Sequence, residues 1–549
     1  MSRFVDAVVA TAARSPRSMI TGEPAAPVQR SWAELHTAAR RSAASLVEAG
    51  LRPGQAVAVL GGDPAEIARV AQAIWLAGGS LTMLHQPTPR TDLAVWREDT
   101  LRVLRMIGAG LVLVGTPFEP VAAVLAEQGI AHRMIAGLDR DDGAFTIAET
   151  GEDSVALLQL TSGSTAEPRA VRITHGNLYR NVADAVAHLR WDERSDVMVS
   201  WLPLFHDMGM VGCLLMPMFS GVGLVSVTPL DFLSRPMLWA ELISRYGGTI
   251  TTAPNFAWAI LTRQLARAEP GSLDLSRLRI AGNGAEPVDP STMEAFTRVA
   301  AGFGLRPEAV NCCYGAAEST LVISMSELAD PMLVDVVDAL ELEKNRRAVP
   351  ADPDTTAGVR RLPLLGPPFP SVAVRVVDDD GAVLGEREVG RILLSGDSVT
   401  TTYLTRDGVR SARDADGWLD IGDEGYLTGG QIVVCGRRKE VIIMGGRNLY
   451  PTDIERAAAA VDGVREGNVA AVRLMPGEGV ARESFAVLVE SRLAGDPSAE
   501  ERIVAAVTTS IVSEVDARPA LVTILPPGSL PKTPSGKLRR DAARALLNR

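Results

Sequence analysis

The chain is short of lysine. Of its 549 residues, 55 are Lys or Arg, yet only Lys344, Lys439, Lys532 and Lys537 are lysines. With 66 Asp and Glu the net charge is −11, so the basic excess that phosphate neutralisation demands of a general nucleic-acid binder is missing. Histidine (six) and cysteine (four) are equally scarce. Cys213, Cys312, Cys313 and Cys435 contain no CxxC, no zinc-ligand spacing exists, and the adjacency of Cys312 and Cys313 disfavours a disulfide between them. Buried thiols in a reducing cytosol are the expectation. The opening MSRFVDAVVATAARSP sets Arg3 and Asp6 about a short apolar stretch, with no long apolar region of the signal-peptide kind. A cytoplasmic location is therefore expected.

Long hydrophobic runs are also few. From Met208 to Leu230 no charge occurs for 23 residues, enough to cross a bilayer. Gly209, Gly212, Pro217, Ser220, Gly221 and Gly223 break that run into a helix-like piece, a turn and a strand-like VGLVSV. Asp207 and Asp231 flank it without basic anchors. It reads as buried core or pocket wall, and no membrane span is expected.

What remains is an ordinary globular composition, 46% apolar and 22% charged, at a length that allows several domains. Up to about residue 435, short apolar runs (AVAVLGG, VALLQL, DVMVSWLP, LRIAGNG) alternate with amphipathic stretches, a βα rhythm that predicts doubly wound α/β layers. Around 370–405 the texture becomes β-rich, predicting a smaller antiparallel sheet. The run 431–446 predicts two strands paired about Cys435–Lys439, and residues 436–549 a compact α+β domain. The stretch 326–366 is polar and Pro-rich, and by composition is a surface loop.

Four groups of residues carry chemistry. An apolar strand ending at Leu160 runs into Thr161-Ser162-Gly163-Ser164-Thr165, with Arg169 beyond. Hydroxyls and backbone N–H groups around a glycine can wrap a polyphosphate, although the loop is not a Walker A sequence. Tyr314-Gly315-Ala316-Ala317-Glu318 joins an aromatic ring able to stack on a base to a carboxylate able to hold Mg²⁺. Asp423 lies beside glycines and can accept bonds from ribose hydroxyls. Pro531-Lys532-Thr533-Pro534-Ser535-Gly536-Lys537 presents a lysine on a Pro/Gly-framed loop. A GxSxG nucleophile elbow is absent, which disfavours a serine hydrolase.

In this order and spacing the motifs resemble the adenylate-forming (acyl-activating) superfamily across the whole chain. WLPLFHDMGMVG (201–212) and the stretch 334–366, where that branch carries an insertion, are similar to the fatty acyl-AMP ligases, particularly actinobacterial ones of the mycobactin-pathway type. The likeness implies a large N-terminal domain (1–435) of doubly wound sheets plus a small β-barrel-like sheet, and a small mobile α+β C-terminal domain (436–549). It implies ATP and Mg²⁺ as cofactors. Thr161 to Thr165 and Arg169 would lie on the β- and γ-phosphates, with Glu318 and Thr165 on the metal. Gly284, Ala285, Glu286, Asn311, Tyr314 and Gly315 would lie about the adenine, with Asp423 and Arg437 on the ribose. Lys537, Glu318 and Thr165 would be the catalytic set, and Lys439 the hinge. His206, Asp207, Met208, Met210 and Phe256 would line the acyl pocket. The implied activity is conversion of a fatty acid to acyl-adenylate, followed by transfer to a holo acyl carrier protein or a carrier domain of a polyketide or nonribosomal synthase. The alternative is a fatty acyl-CoA synthetase. Two departures stand out: the family's TGxPK is Thr165-Ala166-Glu167-Pro168-Arg169 here, and its TGD is Ile421-Gly422-Asp423.

Overall fold

A computed structural model describes the chain apart from residues 89–90, 140–144, 162–167, 329, 356, 478–479, 481–482, 534–535 and 549. Two eight-stranded sheets dominate it. One runs Val322–Met325, Val310–Gly315, Ile280–Asn283, Ile250–Ala253, Val197–Ser200, Gly223–Ser226, Ser18–Thr21, Val28–Ser31. The other runs Gly408–Ser411, Thr402–Thr405, Arg169–Thr174, Val155–Thr161, Ser80–Met83, Ala56–Leu60, Leu111–Val114, His132–Met134. The first sheet is parallel at its centre and antiparallel at both edges, whereas the second is antiparallel from Gly408–Ser411 to Val155–Thr161 and parallel from there to its His132–Met134 edge. Parallel strands buried on both faces read as continuous apolar runs, which is why AVAVL (56–60) has no polar alternation and is wholly buried.

The helix Pro64–Leu76 shows what fills the space between the layers. Every residue in it except Glu66 is buried, and the Trp75 indole N–H donates to the Ala156 carbonyl at 2.8 Å. A helix apolar all round belongs in an interior. Asp63 caps it through the Glu66 N–H at 2.8 Å, with proline at its first turn, so its start is written locally.

Beyond these layers a four-stranded antiparallel sheet joins Ala373–Val377, Gly390–Ser395, Leu419–Thr428 and Gln431–Arg437. A three-stranded sheet (Val469–Leu474, Ser484–Glu490, Leu521–Leu525) follows. It shares its own core, with Ile454, Phe485, Ile503 and Ile511, with the helices Pro451–Ala459 and Pro497–Val515. Ion pairs join this last part to the rest: Arg456 to Asp289 at 3.0 Å, Arg360 to Asp453 at 2.7 Å and Arg447 to Glu343 at 2.7 Å.

Two local expectations need correction, and a third, the helix–turn–strand order of 208–230, is met with a wider winding at its start. The run 431–446 is not one hairpin: Gln431–Arg437 pairs with Leu419–Thr428, and Ile442–Met444 pairs with Arg447–Leu449. Gly445 and Gly446, both at positive φ, make the second turn possible. Residues 326–366 are not a plain loop. Val334–Asp338 and Val359–Pro363 pair antiparallel around the helix Ala339–Asn345, and Val337, Leu342 and Leu362 enter a core with Tyr426 and Tyr450. Its apolar positions are too few to show periodicity, because neighbouring elements supply half of that core. The start of 208–230 is a wide π-helical stretch, Met208–Leu215, before a short helix and the strand Gly223–Ser226. Among the described residues no helix is long and apolar enough to cross a membrane.

Two enclosed histidines set an acid limit. Burial drives His85 and His175 down to about 4, with the nearby His206 ring adding to the effect at His85. Folding then favours the neutral rings, so their contribution is complete above about pH 6.5 and disappears as the pH falls through 4. Urea denaturation between pH 7 and 4 should show a loss on the order of 3 kcal/mol from His175 alone. His175→Gln should flatten that fall, whatever it does to the stability at pH 7.

Candidate active site

Two sets of side chains meet where the strand ends of the first sheet face the terminal loop. The first is a pocket walled by Trp201, Leu202, Pro203, His206, Met208, Pro254, Phe256, Ala285, Glu286 and Lys537. Its apolar side is backed by an aromatic ladder. Trp201 stacks on Phe232 at 3.9 Å and meets Phe256 edge-on at 6.3 Å, while Trp239, Trp258 and Phe296 continue the ladder at 4.7 and 4.6 Å. The chain has few aromatics and concentrates them here, where each pair adds about 0.5–1.5 kcal/mol beyond area burial.

The wider π-helical winding at Met208 follows from close packing. A Cβ on Gly209 would stand 2.2 Å from the Pro203 carbonyl oxygen, so the turn after Trp201-Leu202-Pro203 and the start of the π-helix touch backbone to backbone. Asp207 closes that turn by accepting from the Met208 N–H at 2.7 Å and lying 2.8 Å from His206 Nδ1. Burial pushes the Asp207 carboxyl up, but the His206 ring, the Lys537 ammonium and the Met208 N–H outweigh it and hold it at about 2.

Lys537 reaches the pocket on a tight turn. Its N–H donates to Thr533 Oγ1 at 3.1 Å, its carbonyl accepts from the Thr533 N–H at 2.8 Å, and Gly536, at φ +91°, stands against the Phe256 ring. Lys532 donates to the Gly467 carbonyl and anchors the turn's base. Glu286 faces Lys537 across the pocket and accepts from the Phe256 N–H at 2.6 Å. Burial raises its carboxyl, against the pull of Lys537 and Lys532.

The second set surrounds Asp423. The Tyr314 hydroxyl donates to its Oδ2 at 2.7 Å, and Arg437 lies 3.2 Å from its Oδ1. Burial raises the Asp423 carboxyl, while Arg437, the Tyr314 bond and Lys537 pull it down. The Asp423–Arg437 register of the four-stranded sheet places that pair. Nearby, Glu318 Oε1 accepts from Arg169 at 3.3 Å and from the Tyr403 hydroxyl at 3.1 Å, and Arg169 Nε donates to Thr161 Oγ1 at 3.3 Å. Thr320, just past Glu318, is held at φ +71°, a costly conformation for a β-branched residue. The Ser398 carbonyl accepts from its hydroxyl at 2.8 Å, and the Thr400 N–H donates to the Glu318 carbonyl at 2.7 Å.

The structure thus gathers Lys537, His206, Asp207, Met208, Phe256, Ala285 and Glu286 into one place. Tyr314, Asp423 and Arg437 gather beside it, and Thr161, Arg169 and Glu318 form a third group. Met210 is fully buried but is not part of the pocket wall. Asn311 is buried on its strand with an unpartnered Oδ1, an acceptor suited to an amino group such as that of adenine. Gly315 lies at a register shift where a Cβ would strike the Leu321 carbonyl at 2.1 Å. Gly284 packs against Cys313, and Lys439 is exposed on the one-turn segment Arg438–Glu440. Ser162, Gly163, Ser164 and Thr165 lie outside the described residues. Tyr403 and the wall residues Trp201, Leu202 and Pro203 were not among the sequence candidates. The WLP run next to His206 carried the signal for the walls, whereas nothing local marks Tyr403.

The layers, the small sheet and the terminal unit make the adenylate-forming fold. The chain belongs to the AMP-binding enzyme family, whose model matches residues 10–404. It is 52% identical to the Mycobacterium tuberculosis protein named "Putative ligase Rv1013" over 98% of both chains. It is 33% identical to the long-chain-fatty-acid–AMP ligase FadD32 of Mycolicibacterium smegmatis, over 72% of this chain and 69% of that one. Among solved structures, a fatty acyl-adenylate ligase from work on the E. coli and L. pneumophila enzymes superposes with TM-score 0.89 at 29% identity, covering 100% of this chain and 98% of that one. The L. pneumophila enzyme in complex with acyl adenylate and pyrophosphate gives TM-score 0.76 at 26% identity, over 99% and 96%.

The backbone contact at Gly209 can be tested directly. Gly209→Ala should force Pro203 and the π-helix apart and cost about 1–3 kcal/mol in urea denaturation. Unchanged stability would show that the two segments are not packed as described.

Proposed function

We propose that the chain joins a fatty acid to the AMP moiety of ATP and then passes the acyl group to the phosphopantetheine thiol of a holo acyl carrier protein or carrier domain. The fatty-acid–AMP ligase relative and the acyl-adenylate-bound neighbour support the first step. The observation that carries the reading is Lys537, held in one pocket with His206 and Phe256 and within electrostatic reach of Asp423.

The chemistry explains why a cation is wanted there. The fatty carboxylate attacks the α-phosphorus, a new O–P bond forms, the α–β bridging bond breaks, and pyrophosphate leaves. Two anions must approach, so positioned positive charge is the main contribution the site can make. Lys537 bridges the carboxylate and the α-phosphate. A compact ammonium can serve both where a planar guanidinium fork fits poorly. Asp423 and Arg437 hold the ribose, and Tyr314, Asn311 and the Gly284–Glu286 turn flank the adenine. Thr161 to Thr165 and Arg169 take the terminal phosphates. Mg²⁺, when bound, neutralises charge on the polyphosphate, and Glu318 with Thr165 offers it the hard oxygen ligands it prefers. The wall of Trp201, Met208 and Phe256 takes the start of the acyl chain, each buried methylene adding about 0.8 kcal/mol.

For the second step, residues 436–549 rotate about Lys439. Lys537 withdraws, and the Gly445–Gly446 turn moves towards the thiol's approach. A hinge needs only a few residues that absorb a large φ/ψ change.

One incubation tests both steps: ATP, Mg²⁺ and a panel of fatty acids, with CoA or a holo carrier protein, read by mass spectrometry. Acyl-AMP that passes to the carrier and not to CoA is expected; efficient acyl-CoA formation would overturn the acceptor. Lys537→Ala should lower the adenylation kcat about 10²- to 10³-fold and leave the melting temperature unchanged. Unaltered adenylation would refute the mechanism.

A further inference from the structure

One contact lies outside every motif. Tyr403, on the strand Thr402–Thr405, pairs with Val171 beside Arg169–Thr174 and reaches Glu318, 85 residues earlier in sequence. Its hydroxyl donates to Glu318 Oε1 at 3.1 Å, and the same oxygen accepts from Arg169 at 3.3 Å. The Arg169 guanidinium also lies over the Tyr403 ring, 4.6 Å from its centre. Three groups thus form a closed triangle, and Thr161 Oγ1 accepts a further bond from the Arg169 guanidinium.

This arrangement depends on arginine. A planar guanidinium can stack on a ring while donating in its own plane to Glu318 and Thr161, and an ammonium cannot do all three. The pair is also complementary in charge. With no nucleotide, Arg169 and Glu318 neutralise one another, and Glu318 is almost enclosed at 10% side-chain exposure while Arg169 keeps 41%. A polyphosphate with its divalent cation presents the opposite charges to each partner, so the two can exchange partners without either being left bare. Once Arg169 has turned to the phosphates, the phenol is the one group among the described residues that still bonds the Glu318 carboxylate.

We infer that Tyr403 is a positioning residue, which aims the Glu318 carboxylate through its hydroxyl and supports the Arg169 guanidinium on its ring, so that both are ready for the charges of a nucleotide triphosphate and its cation. The inference rests on the proposed adenylation, but its tests separate the two.

Tyr403→Phe keeps the ring and removes the donor. It should raise the half-saturating Mg²⁺ concentration for adenylation several-fold and leave ATP affinity in EDTA, read by calorimetry, within about twofold. Tyr403→Leu removes the ring as well and should weaken ATP binding in EDTA several-fold. In a Glu318→Gln background, Tyr403→Phe should add nothing to the Mg²⁺ requirement. A wild-type Mg²⁺ titration for Tyr403→Phe overturns the inference, as does an equal effect of that substitution in the presence and absence of Glu318. If Tyr403→Leu does not fold, Tyr403→Trp, which keeps an aromatic shelf without the phenol, takes its place and should bind ATP in EDTA as wild type does; weakened binding by that variant overturns the shelf. Absence of acyl-adenylate from the wild-type chain would refute the proposed activity alone, since ATP binding in EDTA still decides whether the ring supports Arg169.

Discussion

Joining a carboxylate to a triphosphate requires two anions to share one small volume, and the architecture follows from supplying charge there without leaving it unpaired. Lys537, whose N–H and carbonyl both bond Thr533, stands among acids: Glu286 in the same pocket, Asp207 beside His206, and Asp423 beyond. Each acid has another partner. Asp207 has His206 and the Met208 N–H, Asp423 has Tyr314 and Arg437, and Glu286 has the Phe256 N–H. Because each acid already has its own partner, none of them is committed to Lys537 alone.

The large sheets make this possible by being rigid. Strands buried on both faces, a fully interior helix at 64–76 and the aromatic ladder from Trp201 to Phe296 fix one wall of the pocket. The other wall is a lysine on a separate core, joined to the first by ion pairs such as Arg456–Asp289 and Arg360–Asp453. Ion pairs at an interface set orientation more than they add affinity, so these contacts orient the two cores.

Much of this was legible in the sequence, and the reason is local. Thr174 before His175 and Asn177 reads as a helix start and is one, with a reciprocal capping pair. The apolar runs at 56–60 and 155–160 read as strands because burial on both faces leaves no polar alternation. Tyr314, Asp423 and Lys537 stood out as candidates because an aromatic ring, an acid beside glycines and a lysine on a Pro/Gly-framed loop are each visible locally, whereas Arg437 came only from the family resemblance. The stretch 334–366 was illegible because its three short elements share a core to which neighbouring elements, Tyr426 and Tyr450 among them, contribute much of the apolar surface. The helix at 208–215 was legible, but its π winding was not, and neither was the close backbone approach of Gly209 to Pro203 beside it, which no periodicity records.

The scarcity of lysine shows where the two levels of information divide. Sequence alone determined that only four positions carry an ammonium and that one of them, Lys537, sits on a Pro/Gly-framed turn suited to chemistry. It also showed arginine at 169, where similar loops carry lysine. Only the tertiary structure brings Tyr403, on the strand Thr402–Thr405, and Glu318, on the turn Ala317–Ser319, together into a shelf and an acceptor that a planar guanidinium meets at once. Residue type sets what a group can do, and that much is local. Which partners it meets depends on strand order and packing, which join residues hundreds of positions apart.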